Sequence, residues 1–421
     1  MPIRANRAKV KLLLPKCMHS PSSEVLDRGP SSIEPSAIGP EDALRRVAIF
    51  RHNLFRTSEP FITEQARHLR RYRPLFLGRK RFGLPPDGAS CLTLEDLYES
   101  FTLPRIGWQM LTGNVQPYLR LLRPGQPSLI HAHFGIEGVS ALGLAMHLRI
   151  PLVTTFHGFD ATLKTHAMLA SPAWFRYPLL RRRLAREGHL FLCASSFIRQ
   201  RLLDTGFPES RTHTHYIGVD CRTIRPRGDS EEQPLILHVA RLVEVKGTRH
   251  LLRAFARVAR TCDRVRLKII GDGPLRRPLH ALAASLGVGD RVEFLGALPH
   301  AKVLSSMRKA AMLVLPGVRT ATGREEGLGM VLLEAAATGV PIIGSRVGGI
   351  PECIVDGKTG FLVPERDEEA LARRMEELLE DPVRRHGMGA AGRALVEDRF
   401  DIGRQTAVLE NFYDALLGRV R

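Results

Sequence analysis

The feature that most constrains the fold is a rhythm: short apolar runs of four to six residues alternate with amphipathic stretches of about 10 to 15, and the series starts twice. Strands joined through helices must run parallel, so the rhythm predicts α/β architecture with doubly wound sheets. In the first series the strands are read at 46–51, 74–78, 129–134, 152–156, 190–194 and 215–217. Helices are read between them at 62–71, 107–122, 138–148, 173–186 and 196–205. The polar run CRTIRPRGDSEEQ at 221–233 has no apolar period and reads as a linker. A second series follows, with strands at 235–240, 267–270, 292–295, 312–315, 342–344 and 361–363 and three helices after Asp367.

The expected organisation is a disordered extension over 1–45, one Rossmann-like domain over 46–220, the linker, and a second such domain over 234–400. A closing helix at 401–421 is expected to pack back toward the first domain. With 421 residues, 44% hydrophobic and 25% charged, two cores are affordable in a chain of ordinary globular composition. Open parallel sheets bind ligands beyond the carboxyl ends of their strands, which puts the expected site in a crevice between the domains.

Charge is uneven. Residues 1–225 hold 32 Lys/Arg against 17 Asp/Glu, a net +15, and residues 226–421 hold 30 against 26, a net +4; together they give the chain's +19. Such a field suits polyanions. No interleaved aromatic motif or helix-turn-helix pattern accompanies it, so a specific nucleic acid is not the expected partner, whereas an anionic membrane surface is. The basic runs at 67–81 and 181–186 concentrate the excess, and a solvated helix face is the plainer reading of either. The six cysteines are scattered without a C-x-x-C pair, which fits a reducing compartment and no zinc site. The stretch 327–344 is interrupted by Glu334 and Pro341, so no membrane span is expected. The expected location is cytoplasmic, peripheral on the inner face of the cytoplasmic membrane.

The most informative segment is REEGLGMVLLEAAATGVP at 324–341. Gly327 and Gly329 bracket a loop, Met330 to Ala337 favours a helix, and Gly339 and Pro341 stop it. Small residues ahead of a helix N-terminus let a phosphate reach its unpaired N–H groups. Glu326 stands at that mouth and Glu334 eight residues on, about 12 Å along a helix. That is comparable to the separation of a donor sugar from its nucleoside ribose, and the carboxylates could accept hydrogen bonds from hydroxyls of each. Upstream, ARLVEVKG puts Arg241 at the end of a strand and Lys246 before a helix start, two cations able to neutralise a diphosphate. Gly271-Asp272-Gly273-Pro274 reads as a turn after a strand. In the first series, His157-Gly158-Phe159-Asp160 follows a strand, which places a histidine at the crevice. His131 and His133 share one side of a strand and are read as packing residues near the cleft.

Glu326, Gly327, Leu328, Gly329, Glu334, Ala335, Ala337, Gly339 and Pro341 match in register the motif E-G-[FL]-G-x-x-x-x-E-A-x-A-x-G-x-P. The chain here resembles retaining glycosyltransferase family 4, strongly over 234–364 and more loosely from 46 to 420. The resemblance implies the GT-B fold and a nucleotide-diphosphate sugar donor, UDP-, GDP- or ADP-linked. It implies catalytic roles for Arg241, Lys246, Glu326 and His157, and donor binding by Gly327, Leu328, Gly329, Glu334 and Gly271. Asp160 is implied to orient sugar or acceptor. Neither metal nor other cofactor is expected. The start SEPFI at 58–62, where many members carry a Gly-rich loop, together with HAHFG at 131–135 and TFHGFD at 155–160, is similar to glycosyltransferases of colanic-acid and amylovoran-type exopolysaccharide assembly. The implied acceptor is therefore a glycan or lipid-linked oligosaccharide, and the implied transfer is that of a hexose. Three rivals stay open on sequence: a sugar-nucleotide epimerase, a pyridoxal-phosphate phosphorylase, and a non-catalytic nucleotide-sugar sensor.

Overall fold

The computed structural model describes residues 44–421 apart from 57, 87, 99–102, 229–231 and 420–421; residues 1–43 of the expected extension and Thr57 lie outside the described residues, and Arg45, expected in the extension, opens the first strand. Residues 44–421 form one compact unit. Strands β1 (Arg45–Phe50), β2 (Asn53–Leu54), β3 (Tyr72–Gly78), β4 (Lys80–Arg81), β5 (Ser90–Thr93), β6 (Leu129–His133), β7 (Leu152–Phe156), β8 (Leu190–Cys193) and β9 (Thr212–Thr214) belong to the first half. All but β2 and β4, which pair with each other, form a parallel sheet ordered β5-β3-β1-β6-β7-β8-β9. Strands β10 (Leu235–Val239), β11 (Arg266–Ile270), β12 (Val292–Gly296), β13 (Met312–Leu315), β14 (Ile342–Ser345) and β15 (Gly360–Val363) form a second parallel sheet, ordered β12-β11-β10-β13-β14-β15. Strands β6, β7, β8, β13, β14 and β15 are buried along their whole length, as expected for sheets covered by helices on both faces.

In each sheet the strand order reverses beside the first strand, between β1 and β6 and between β10 and β13. A crevice opens at such a point. The residues leaving these strands are Arg51-His52, Phe134-Gly135, Ala240-Arg241 and Pro316-Gly317.

Three readings of the elements change. The single helix expected over 107–122 is two, Leu103–Thr112 and Gln116–Leu121, broken where Gly113 takes φ 66°. The strand expected at 215–217 lies at 212–214, where it pairs with β8. Strand β5 was not expected: SCLT is too short and too polar at its start to stand out, and its pairing with β3 defines it.

The helix Ile402–Arg419 crosses to the first sheet. Leu409, Tyr413 and Leu416 share a core with Val47, Ile49, Phe76 and Val153, and Glu410 accepts from the backbone N–H groups of Arg70 and Arg71. Cys221 and Ile224, at the start of the polar connection, are buried in the core of the second half.

Candidate donor-sugar site

The second half supplies a cationic rim. After β10 the chain makes a tight turn at Glu244–Lys246 and enters the helix Thr248–Thr261. Arg241 is exposed at the strand end, and Lys246 Nζ forms an ion pair with Glu326 Oε2. Arg324, two residues ahead of Glu326, lies 5.9 Å from the Phe159 ring centroid of the first half. Burial and the neighbouring Arg241 charge lower its pKa, and Glu326 acts in the opposite sense. Lys246 and Arg324 thus act on one carboxylate and Arg241 acts on Arg324, an excess of positive charge that favours an anion there.

Glu325, identical in type to its neighbour, does something different. It is 4% exposed and takes ion pairs from Arg201 at 3.0 Å and Arg319 at 2.9 Å. Because Arg201 lies on the helix Ser196–Asp204 of the first half, Glu325 ties the halves together.

Gly329, at φ 96°, is the N-cap position of the helix Met330–Ala337, the helix read from sequence. Leu328 is buried, and its carbonyl accepts from Cys353 Sγ at 3.1 Å, so it can meet a ligand only through its backbone. Gly327 is tightly enclosed: a Cβ there would lie 2.0 Å from the His157 carbonyl oxygen. Its own carbonyl accepts from Ser195 Oγ at 2.6 Å. The loop of the second half therefore lies directly on the His157-Gly158 turn of the first. Gly271, at φ 128°, would with a side chain strike the Ala240 carbonyl, and acts by letting the turn after β11 pack against the end of β10. Glu334 lies farther along, with Oε1 3.1 Å from His300 Nε2; that contact raises the His300 pKa.

In the first half, His157 Nε2 lies 3.0 Å from His133 Nδ1, with the rings nearly parallel at 16°. His131 stacks on His133 at 4.4 Å and bonds Thr155 Oγ1 and Tyr413 Oη. Burial holds all three histidines well below their usual pKa, with neighbouring positive charge adding to it, so they are neutral. His157 Nδ1 is enclosed without a hydrogen-bond partner among the described residues. Asp160, 1% exposed, does not reach into the crevice. Its oxygens accept from the N–H groups of Gly135 and Gly158 at 2.9 Å and of His157 at 3.3 Å, which fixes the turn that carries His157. Burial pushes its pKa up to about 6. Among the described residues no group of three or more His, Cys, Asp or Glu is arranged to hold a metal ion.

The glycosyl transferases group 1 model matches residues 222–395, and the Glycosyltransferase Family 4 model matches residues 58–223. N-acetyl-alpha-D-glucosaminyl L-malate synthase of Bacillus anthracis is 30% identical over 68% of this chain and 75% of its own length. The chain belongs to glycosyltransferase family 4. Within the family, the Escherichia coli protein named as colanic acid biosynthesis glycosyltransferase WcaL is 33% identical over 60% of this chain, and the match spans only 61% of that relative. Solved GT-B structures share the fold at 20% identity. Anabaena HepE, solved with UDP and glucose, has a TM-score of 0.67 over 88% of this chain and all of that one. Sucrose-phosphate synthase of Thermosynechococcus elongatus has 0.71 over 89% of this chain and all of that one.

In this family 4 chain the motif glutamate Glu326, the pair Arg241 and Lys246, and the His157 turn converge where the halves meet, whereas Glu334 stands apart beside His300. Sequence reasoning missed three contributors, Arg324, Ser195 and Glu352, and read His133 as a packing residue near the cleft rather than as the partner of His157. Glu352 accepts from the N–H groups of Ser196 and Phe197 and from Tyr216 Oη, across the halves. Only Arg324 was in view, at the flank of the motif. None carries a signal of its own.

Proposed function

We propose that the chain transfers a hexose from a nucleotide-diphosphate sugar, with retention of configuration, to a hydroxyl of a glycan or lipid-linked oligosaccharide in polysaccharide assembly, working in the cytoplasm at the membrane face. The observation that carries the reading is the cluster of Arg241, Lys246 and Arg324 with Glu326 at the mouth of the helix Met330–Ala337. Cations and helix N–H groups at that point suit the charge that grows on a departing nucleoside diphosphate. Glu326 and His157 hold the sugar, the leaving phosphate takes the acceptor proton, and Glu334 with His300 holds the ribose. The scheme draws on these fixed cations and uses no metal. The relatives reported above are named as transferases or synthases and none as an epimerase.

Two variants separate the carboxylates. Glu326→Ala is expected to lower turnover by about 2 to 4 kcal/mol in the transition state with nucleoside-diphosphate affinity little changed. Glu334→Ala is expected to weaken nucleoside-diphosphate binding by about 1 to 3 kcal/mol. Calorimetry and turnover on UDP-, GDP- and ADP-sugars read both effects. A reversed pattern would exchange the two roles, and no effect on either quantity would refute the site.

A further inference from the structure

Among its described side chains, the helix Leu103–Thr112 buries a polar residue and exposes two large apolar ones. Gln109 is buried at 5% exposure, whereas Trp108 and Leu111 are 63% and 61% exposed, with Arg105 one turn before Trp108 on the same face. The helix ends at Gly113, against which the Arg176 guanidinium lies so closely that a Cβ on Gly113 would fall 2.1 Å from it. Arg176 opens the helix Arg176–Glu187. That second helix presents Leu179, 64% exposed, and then Arg182, Arg183 and Arg186 at the spacing of one helical face. The two helices together carry six arginines and one acid, Glu187, which pairs with Arg183 and Arg186.

We propose that this surface docks on an anionic lipid bilayer, with Trp108, Leu111 and Leu179 entering the interface and the arginines meeting the headgroups. A tryptophan with leucines framed by arginine suits the polar-apolar boundary of a membrane. A second copy of the chain fits poorly, because a two-fold contact would set one arginine-rich face against another. Arg79 to Arg81, at the end of the basic run 67–81, are not part of this surface. Arg79 turns inward beside Tyr118 and Glu137, while Lys80 and Arg81 are paired with Glu95 and Asp96. The inference rests on the proposed membrane-side acceptor, yet its test needs neither donor nor acceptor, so the two fail separately.

The full chain is sedimented with vesicles of phosphatidylcholine, alone or with phosphatidylglycerol added, across a range of salt. Expected is binding to the anionic vesicles only, weakening as salt rises, with a blue shift of tryptophan fluorescence that is lost in Trp108→Phe. Trp108→Ser with Leu111→Ser should weaken binding roughly tenfold. Arg182→Gln, Arg183→Gln and Arg186→Gln together should bring it to the level of neutral vesicles. Lys80→Gln with Arg81→Gln should leave it unchanged, and all variants should melt near the wild-type temperature. Equal binding to both vesicle types, or full binding by the arginine variant, overturns the proposal. So does self-association that disappears in the Trp108 and Leu111 variant, which would assign the face to a second copy.

Discussion

Arg324 shows how much a single side chain can alter a site. Its guanidinium shares the rim with Arg241 and stands over Phe159, so a bound diphosphate would relieve a repulsion that the ligand-free chain sustains. Arg324→Met is therefore expected to weaken nucleoside-diphosphate binding about tenfold, roughly 1.4 kcal/mol, and nucleoside-monophosphate binding less. Calorimetry with the two nucleotides checks it; equal small losses would reduce Arg324 to a packing residue. In the sequence Arg324 is only a flank of the motif, and Glu325 and Glu326 look alike until their partners are seen. His133 was legible as a residue near the cleft but not as the hydrogen-bond partner of His157, since pairing across β6 and β7 is a matter of register. Asp160 was legible as part of the turn. That its oxygens are taken up by backbone N–H groups depends on Gly135, 25 residues away, which no local pattern reveals.

At the scale of elements, strands and helices with strong apolar periods fall where the sequence puts them, as with β7 at 152–156 and the helix Met330–Ala337. Elements defined by a partner do not: β5 and the shift of β9 arise from pairing with β3 and β8. The most consequential contact between elements is the Gly327 loop on the His157 turn. The atoms nearest to a Cβ on Gly327 all belong to His157 and Gly158, so Gly327→Ala strikes only the first half. The expected result is a loss of turnover of about 10- to 100-fold, with nucleoside-diphosphate affinity retained and stability lowered by about 1 to 3 kcal/mol. Gly349→Ala, whose Cβ would lie 2.0 Å from the Gly327 carbonyl oxygen within the second half, should lose nucleotide affinity as well. Turnover and calorimetry on the two variants make the comparison. Identical behaviour would mean that the contact between the loops has no separate part in the reaction.

Across the whole molecule the halves are held by ties that a reading of two independent domains does not supply: Glu352 on the start of the helix Ser196–Asp204, Glu325 with Arg201, and Tyr413 on His131. One of these ties and both cores enclose histidine. His52, His131, His133, His157, His215 and His238 are all depressed, chiefly by burial, with His52 and His238 at about 4. The sign follows from linkage. Below the ordinary pKa of about 6.5 the unfolded chain takes up protons at these rings while the folded chain refuses them, so stability is full above that pH and is lost as pH falls toward about 4. For His52 and His238 alone the loss is about 1.4 kcal/mol each per pH unit within that window, and the other four add to it. Against a total stability of about 5 to 15 kcal/mol, such a slope is severe. Melting temperatures are therefore expected to fall steeply between pH 7 and pH 5, with net proton uptake when the chain is unfolded by urea near pH 5.5. Buried carboxylates cannot produce this pattern in that range: Glu137, held down to about 2 chiefly by Arg51, loses its contribution only below about 4.5, and Asp160, raised to about 6, works the other way. A melting temperature that stays level from pH 7 to pH 5 would show that these histidines are hydrated or already charged in the folded chain.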